Sequence, residues 1–105
     1  MDIIKEIAKS EMTIRLRGRL ETTTAPKLEE VVENELDDIM TLIINMENVE
    51  YVSSAGLRIL LGAEKKMKAR SGKLIVEHIP DAVMDVFKIT GFDKVLTLRC
   101  SGKSG

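Results

Sequence analysis

The chain has 105 residues, 44% apolar and 31% charged, and its 16 basic and 17 acidic side chains leave a formal net charge of −1. That length suits one hydrophobic core, and the balanced charge creates no field that would draw the chain to nucleic acid or an anionic membrane. Two phenylalanines and one tyrosine are too few for base stacking, and neither a secretory leader nor a membrane-length apolar run is visible, so a cytoplasmic location is expected.

Ile3 to Ala8 and Met12 to Leu20 read as two strands, the second alternating Met12, Ile14 and Leu16 with Thr13, Arg15 and Arg17. Lys9-Ser10-Glu11 between them suits a tight hairpin. The run Thr22-Thr23-Thr24-Ala25-Pro26 breaks the second strand, and Pro26 fits the first turn of a helix reaching to about Leu36. Leu28, Val31, Val32 and Leu36 recur at helical spacing, which makes that helix amphipathic.

Met40 to Met46 is a short, almost continuous apolar run, the pattern of a central strand buried on both faces. Val49, Tyr51 and Val52 lead from it to Ser53-Ser54-Ala55-Gly56. A helix from Leu57 to Arg70 follows, ending before Gly72. Lys73 to His78 reads as a strand, Asp81 to Thr90 as a helix stopped near Gly91, and Val95 to Leu98 as a last short strand. Residues 1–100 form the expected domain and 101–105 a frayed tail. An opening hairpin followed by alternating helices and strands predicts an α/β fold, a mixed sheet covered by amphipathic helices.

Several segments carry the outline of a chemical site without its substance. Gly102-Lys103-Ser104 looks like the end of a phosphate-binding loop, but Thr97 stands where that loop requires glycine and no helix can follow. Val52-Ser53-Ser54-Ala55-Gly56 lacks the first glycine of a nucleophile elbow and has no histidine partner. Glu29-Glu30 and Asp37-Asp38 are neighbours that point apart on a helix, so they read as a solvated face. His78 and Cys100 are each the only residue of their type, and both read as structural. No intrinsic enzyme activity, no cofactor and no metal site is expected.

Ser53 and Ser54 stand at a helix entrance, where a hydroxyl ordinarily caps the first turn. The order buried strand, short loop, Ser-Ser-Ala-Gly-Leu, amphipathic helix resembles the signature segment of STAS domains such as bacterial anti-sigma factor antagonists. The likeness runs from Ile43 through Asn45-Met46-Glu47-Asn48 to Leu57. Two further stretches agree with it: Gly18-Arg19-Leu20-Glu21-Thr22-Thr23-Thr24-Ala25 resembles the family's Gly-x-Leu-Asp-x-x-Thr-Ala loop, and Phe87-Lys88-Ile89-Thr90-Gly91-Phe92 its Phe-x-x-x-Gly-Phe/Leu segment.

The resemblance implies an antagonist that binds an anti-sigma factor serine kinase, frees a sigma factor, is released when that kinase phosphorylates it, and is restored by a phosphatase. Placing Gly56-Leu57 on the family's Gly-Leu makes Ser54 the phosphate acceptor. Ser53, where some members carry Asp, is the second choice. The helix after Ser54 carries Leu57, Leu60, Leu61 and Met67 on one stripe and Ala55, Ile59, Gly62 and Lys66 roughly opposite. With the resemblance, this implies a docking surface of Thr22, Thr23, Thr24, Ser53, Ser54, Ala55, Gly56, Arg58, Ile59 and Gly62; the threonines read alternatively as caps of the following helix, and Ile59 and Gly62 equally as packing residues. Two alternatives stay open: a STAS scaffold module never phosphorylated, and a nucleotide-binding or hydrolytic protein using the hydroxyl-rich loop.

Overall fold

The computed structural model describes residues Met1–Arg99. Cys100 and the tail expected over 101–105 lie outside the described residues. The elements run β1 (Asp2–Ala8), β2 (Glu11–Leu20), α1 (Ala25–Asn34), β3 (Thr41–Val52), α2 (Ser54–Ala69), β4 (Lys73–Glu77), α3 (Asp81–Thr90), a short 3₁₀ turn (Phe92–Lys94) and β5 (Thr97–Arg99). They form one five-stranded sheet in the order β1-β2-β3-β4-β5, with β1 antiparallel to β2 and every later pairing parallel. The expected α/β fold, with its mixed sheet and opening hairpin, is present.

The hairpin closes through two residues, with Ala8 facing Glu11 and Lys9 at φ 58°. A left-handed first residue is what a two-residue turn between twisted strands requires. The expected turn residue Glu11 instead begins β2. Met12, Ile14 and Leu16 then point inward at regular two-residue spacing, each no more than 1% exposed.

β3 is the central strand, and it is longer than its apolar run. Leu42, Ile44 and Met46 are fully buried on one face, and Ile43 and Asn45 are buried on the other. Pairing then shifts twice: Arg15 faces Asn45 but Arg17 faces Asn48, and Gly18 faces Val49 but Arg19 faces Tyr51. Each shift is a bulge carrying one extra residue on β3. The Asn45 side-chain oxygen holds the first by accepting the Glu47 N–H at 2.9 Å. Because each bulge adds one residue to the alternation, the inward positions continue as Val49 and Val52. The strand expected to stop at Met46 therefore runs on to Val52, delivering the chain directly to α2.

α1 ends at Asn34, two residues short of the expected Leu36. The Arg70 guanidinium donates to the Leu36 and Asp37 carbonyls, which satisfies acceptors left beyond the helix end. β4 stops at Glu77 because His78 takes φ 54°, and the His78 ring sits 3.8 Å from the Glu77 carboxylate. α3 closes at Gly91 in the left-handed conformation, as the sequence suggests. The last strand is displaced: Phe92–Lys94 form a 3₁₀ turn, Val95 is exposed, and β5 is Thr97–Arg99. Leu28, Val31, Val32 and Leu36 from the first crossover, Leu57, Leu60 and Met67 from α2, and Val83 and Phe87 from α3 share a single core.

Candidate functional site

Because β2 and β3 are parallel, α1 and α2 both start at the same end of the sheet, beyond Leu20 and Val52. The two connections are tied together there: the Ser53 N–H donates to the Leu20 carbonyl at 2.9 Å. Ser53 is extended, at φ −92° and ψ 177°, and occupies the N-cap of α2. Its Oγ accepts the Gly56 N–H at a long 3.4 Å, and its carbonyl receives the first intrahelical bond from the Leu57 N–H.

Ser54 is the first residue of α2 and is exposed, and among the described residues its hydroxyl makes no hydrogen bond. The capping expected of the Ser53-Ser54 pair thus falls to Ser53. The N–H groups of Ser54 and Ala55 precede the first intrahelical bond, so the helix leaves them without acceptors.

Gly56 fixes how near α2 approaches β2. A Cβ at this position would lie 2.7 Å from Leu20 Cγ and 3.0 Å from the Leu20 carbonyl oxygen. Glycine is the residue that fits so tight a gap. Gly56, expected on the docking surface, is instead buried and belongs to the packing beneath it.

The three threonines separate in the same way. Thr24 is half-buried, and its hydroxyl donates to the Arg19 carbonyl at 2.5 Å while accepting the Glu21 N–H at 2.9 Å. It stands at the N-cap of α1 without capping it through its side chain. Thr24 is therefore a loop-closing residue, its hydroxyl engaged within the chain. Thr22 and Thr23 are exposed and, with Glu21, Tyr51 and Ser53, line a shallow depression of about 340 Å³.

Beside that depression, the Arg19 guanidinium lies 4.7 Å from the centre of the Tyr51 ring, and its Nε is 3.5 Å from the Glu21 carboxylate. Sequence reasoning did not single out Arg19, Glu21 or Tyr51. Arg19 faces Tyr51 only because of the second bulge in β3, which local alternation does not reveal.

Along α2, Arg58 and Gly62 are exposed and Ala55 and Ile59 half-buried, forming one surface that starts at Ser54. Leu57, Leu60 and Met67 are buried as expected; Leu61 is only partly covered, and Ala63 and Glu64 occupy the inner stripe in its stead. A groove of about 260 Å³ separates this surface from α1, lined by Glu29, Val32 and Glu33 on one side and Arg58, Ile59, Gly62 and Lys66 on the other. Among the described residues no cluster of His, Cys, Asp and Glu could hold a metal, and no helix is long and apolar enough to cross a membrane.

Comparison with known proteins accords with this architecture. Residues 2–103 match the STAS domain family. The anti-sigma-B factor antagonist of Listeria monocytogenes is 29% identical over 97 residues, covering 91% of this chain and 85% of that protein. An anti-sigma factor antagonist from Mycobacterium paratuberculosis superposes with a TM-score of 0.81 at 26% identity, over 92% of this chain and 83% of that one. The phosphorylated form of the Bacillus cell fate determinant SpoIIAA superposes with a TM-score of 0.78 at 19% identity, over 97% and 93% of the two chains. With residues 2–103 matched, nearly its whole length, this chain belongs to the STAS domain family and is similar to anti-sigma factor antagonists.

Proposed function

We propose that this chain is a cytoplasmic anti-sigma factor antagonist, a docking protein and not an enzyme. Its unphosphorylated form binds an anti-sigma factor serine kinase and frees a sigma factor. Phosphorylation of Ser54 ends that binding, and a phosphatase restores it. The observation that carries this reading is the division of labour between adjacent serines: Ser53 Oγ is engaged with the Gly56 N–H, whereas Ser54 presents an exposed, uncommitted hydroxyl.

A phosphoryl group on Ser54 adds about 1.5 to 2 negative charges and three acceptor oxygens. The free N–H groups at the start of α2 and the positive end of its dipole tolerate an anion there, so the fold is retained. The cost falls on docking. A partner that covers a neutral hydroxyl would have to desolvate a hydrated dianion, and losing about 2.8 kcal/mol corresponds to about a hundredfold in affinity. Thr22 and Thr23, which share a depression with Ser53, belong with Ser54 and Ala55 to the docking surface, and Arg58, Ile59 and Gly62 extend it along α2.

The test is incubation with ATP and the anti-sigma factor kinases encoded in the same genome, followed by mass spectrometry. Ser54→Ala is expected to abolish modification, and Ser53→Ala to preserve it. Ser54→Asp is expected to weaken kinase binding at least tenfold, about 1.4 kcal/mol; undiminished binding would overturn the switch. Binding without any modification would instead favour an unregulated scaffold module.

A further inference from the structure

The groove between α1 and α2 has walls of opposite sign. Glu29 and Glu33, one helical turn apart, form the α1 wall; Arg58 and Lys66 form the α2 wall, with Gly62 midway between them. Val32 and Ile59 supply its apolar floor. No ion pair crosses it: among the described residues, neither glutamate carboxylate lies within 4.0 Å of a cationic group, nor does Arg58 of a carboxylate. Lys66 donates to the Glu33 carbonyl at 3.1 Å, leaving the Glu33 carboxylate unpaired.

Gly62 is the second observation. It lies within a sixteen-residue helix, and a Cβ built on it would meet nothing within 4 Å. Glycine is the poorest helix former after proline, and here neither packing nor backbone conformation calls for it. What glycine provides at that point is space above the groove for another backbone to approach closely. Gly62 is also two turns of α2 below Ser54, roughly 12 Å along the axis, on the surface continuous with the phosphate acceptor.

We infer that this groove receives an amphipathic helix of the kinase partner, an aliphatic ridge flanked by an acidic row on one side and a basic row on the other. The inference rests on the antagonist reading above and adds to it the chemistry of the bound segment. A helix is the element that fits, because its side chains recur at the three- and four-residue spacing of the two walls. The acidic row faces Arg58 and Lys66, and the basic row faces Glu29 and Glu33. Turning the helix end for end would place like charges together on both sides, so the two walls also fix its direction.

Two variants, Glu29→Lys with Glu33→Lys and, separately, Gly62→Leu, are titrated by calorimetry against the kinase that phosphorylates Ser54. Each is expected to raise Kd at least tenfold with no loss of thermal stability. Wild-type affinity should fall between about 0.05 and about 0.5 M salt, and the wall-reversed variant should lose most of that dependence. Gly62→Ala is expected to raise Tm by several degrees; a fall would mean that the fold itself needs the glycine, and would overturn the inference. Unchanged affinity in both groove variants, with Ser54 still phosphorylated, would overturn the groove and leave the antagonist reading standing. A chain that no such kinase binds or modifies would overturn both.

Discussion

The starts of α1 and α2 sit side by side at one end of the sheet, and both are rich in hydroxyls, yet they use them in opposite ways. At α1, Thr24 turns its hydroxyl back into the loop, between the Arg19 carbonyl and the Glu21 N–H. At α2, Ser53 caps the helix, if only at 3.4 Å, and Ser54 is left unengaged. Residue type alone does not separate a structural hydroxyl from an available one. The difference is set by where each backbone leaves its strand.

The largest expected effect on stability comes from the contact that joins the two regions. Gly56→Ala would drive a methyl group into Leu20, whose carbonyl oxygen cannot move without disturbing the end of β2. A loss of about 1 to 3 kcal/mol, measured by urea denaturation, is expected. A variant as stable as the parent would show that α2 does not sit as close to β2 as described.

Next is Thr24→Val, which keeps the shape and removes the hydrogen bonds that the Thr24 hydroxyl makes in the α1 loop. Its expected cost is about 1 kcal/mol, tempered by partial exposure. Comparable losses at Thr22 or Thr23, whose side chains are exposed, would erase the distinction between the inner and outer threonines.

The smallest stability effects concern the serines, where the comparison is sharpest. Ser53→Ala should cost about 0.5 to 1 kcal/mol, the lower part of the usual capping range because the bond is long. Ser54→Ala should fall within about 0.5 kcal/mol of the parent, since an exposed first-turn residue tolerates alanine. The reverse order in denaturant midpoints would assign the cap to Ser54 and make Ser53 the more available hydroxyl.

Much of this molecule could be read residue by residue. The alternation of Met12, Ile14 and Leu16, the helical spacing of Leu28, Val31 and Val32, and the stop at Gly91 each report a local preference matched by the fold. The candidate site was legible as a neighbourhood, through three ordered stretches resembling one family. Its inner division was less so. The resemblance places Gly56 and Thr24 in that neighbourhood, and only the proximity of Leu20 and the return of the loop onto Arg19 reveal their structural work.

By itself, the sequence determined the α/β class, the opening hairpin, the central apolar strand and the hydroxyl-rich start of α2, because periodicity, turn chemistry and helix stops act over a few residues. The tertiary structure alone decided that β3 continues past Met46 through two bulges, that Ser53 and not Ser54 is the cap, and that Glu29 and Glu33 face Arg58 and Lys66 across a groove. Those outcomes depend on cross-strand register and on the approach of one helix to another. Both bring together residues tens of positions apart, where no local pattern can specify the partner.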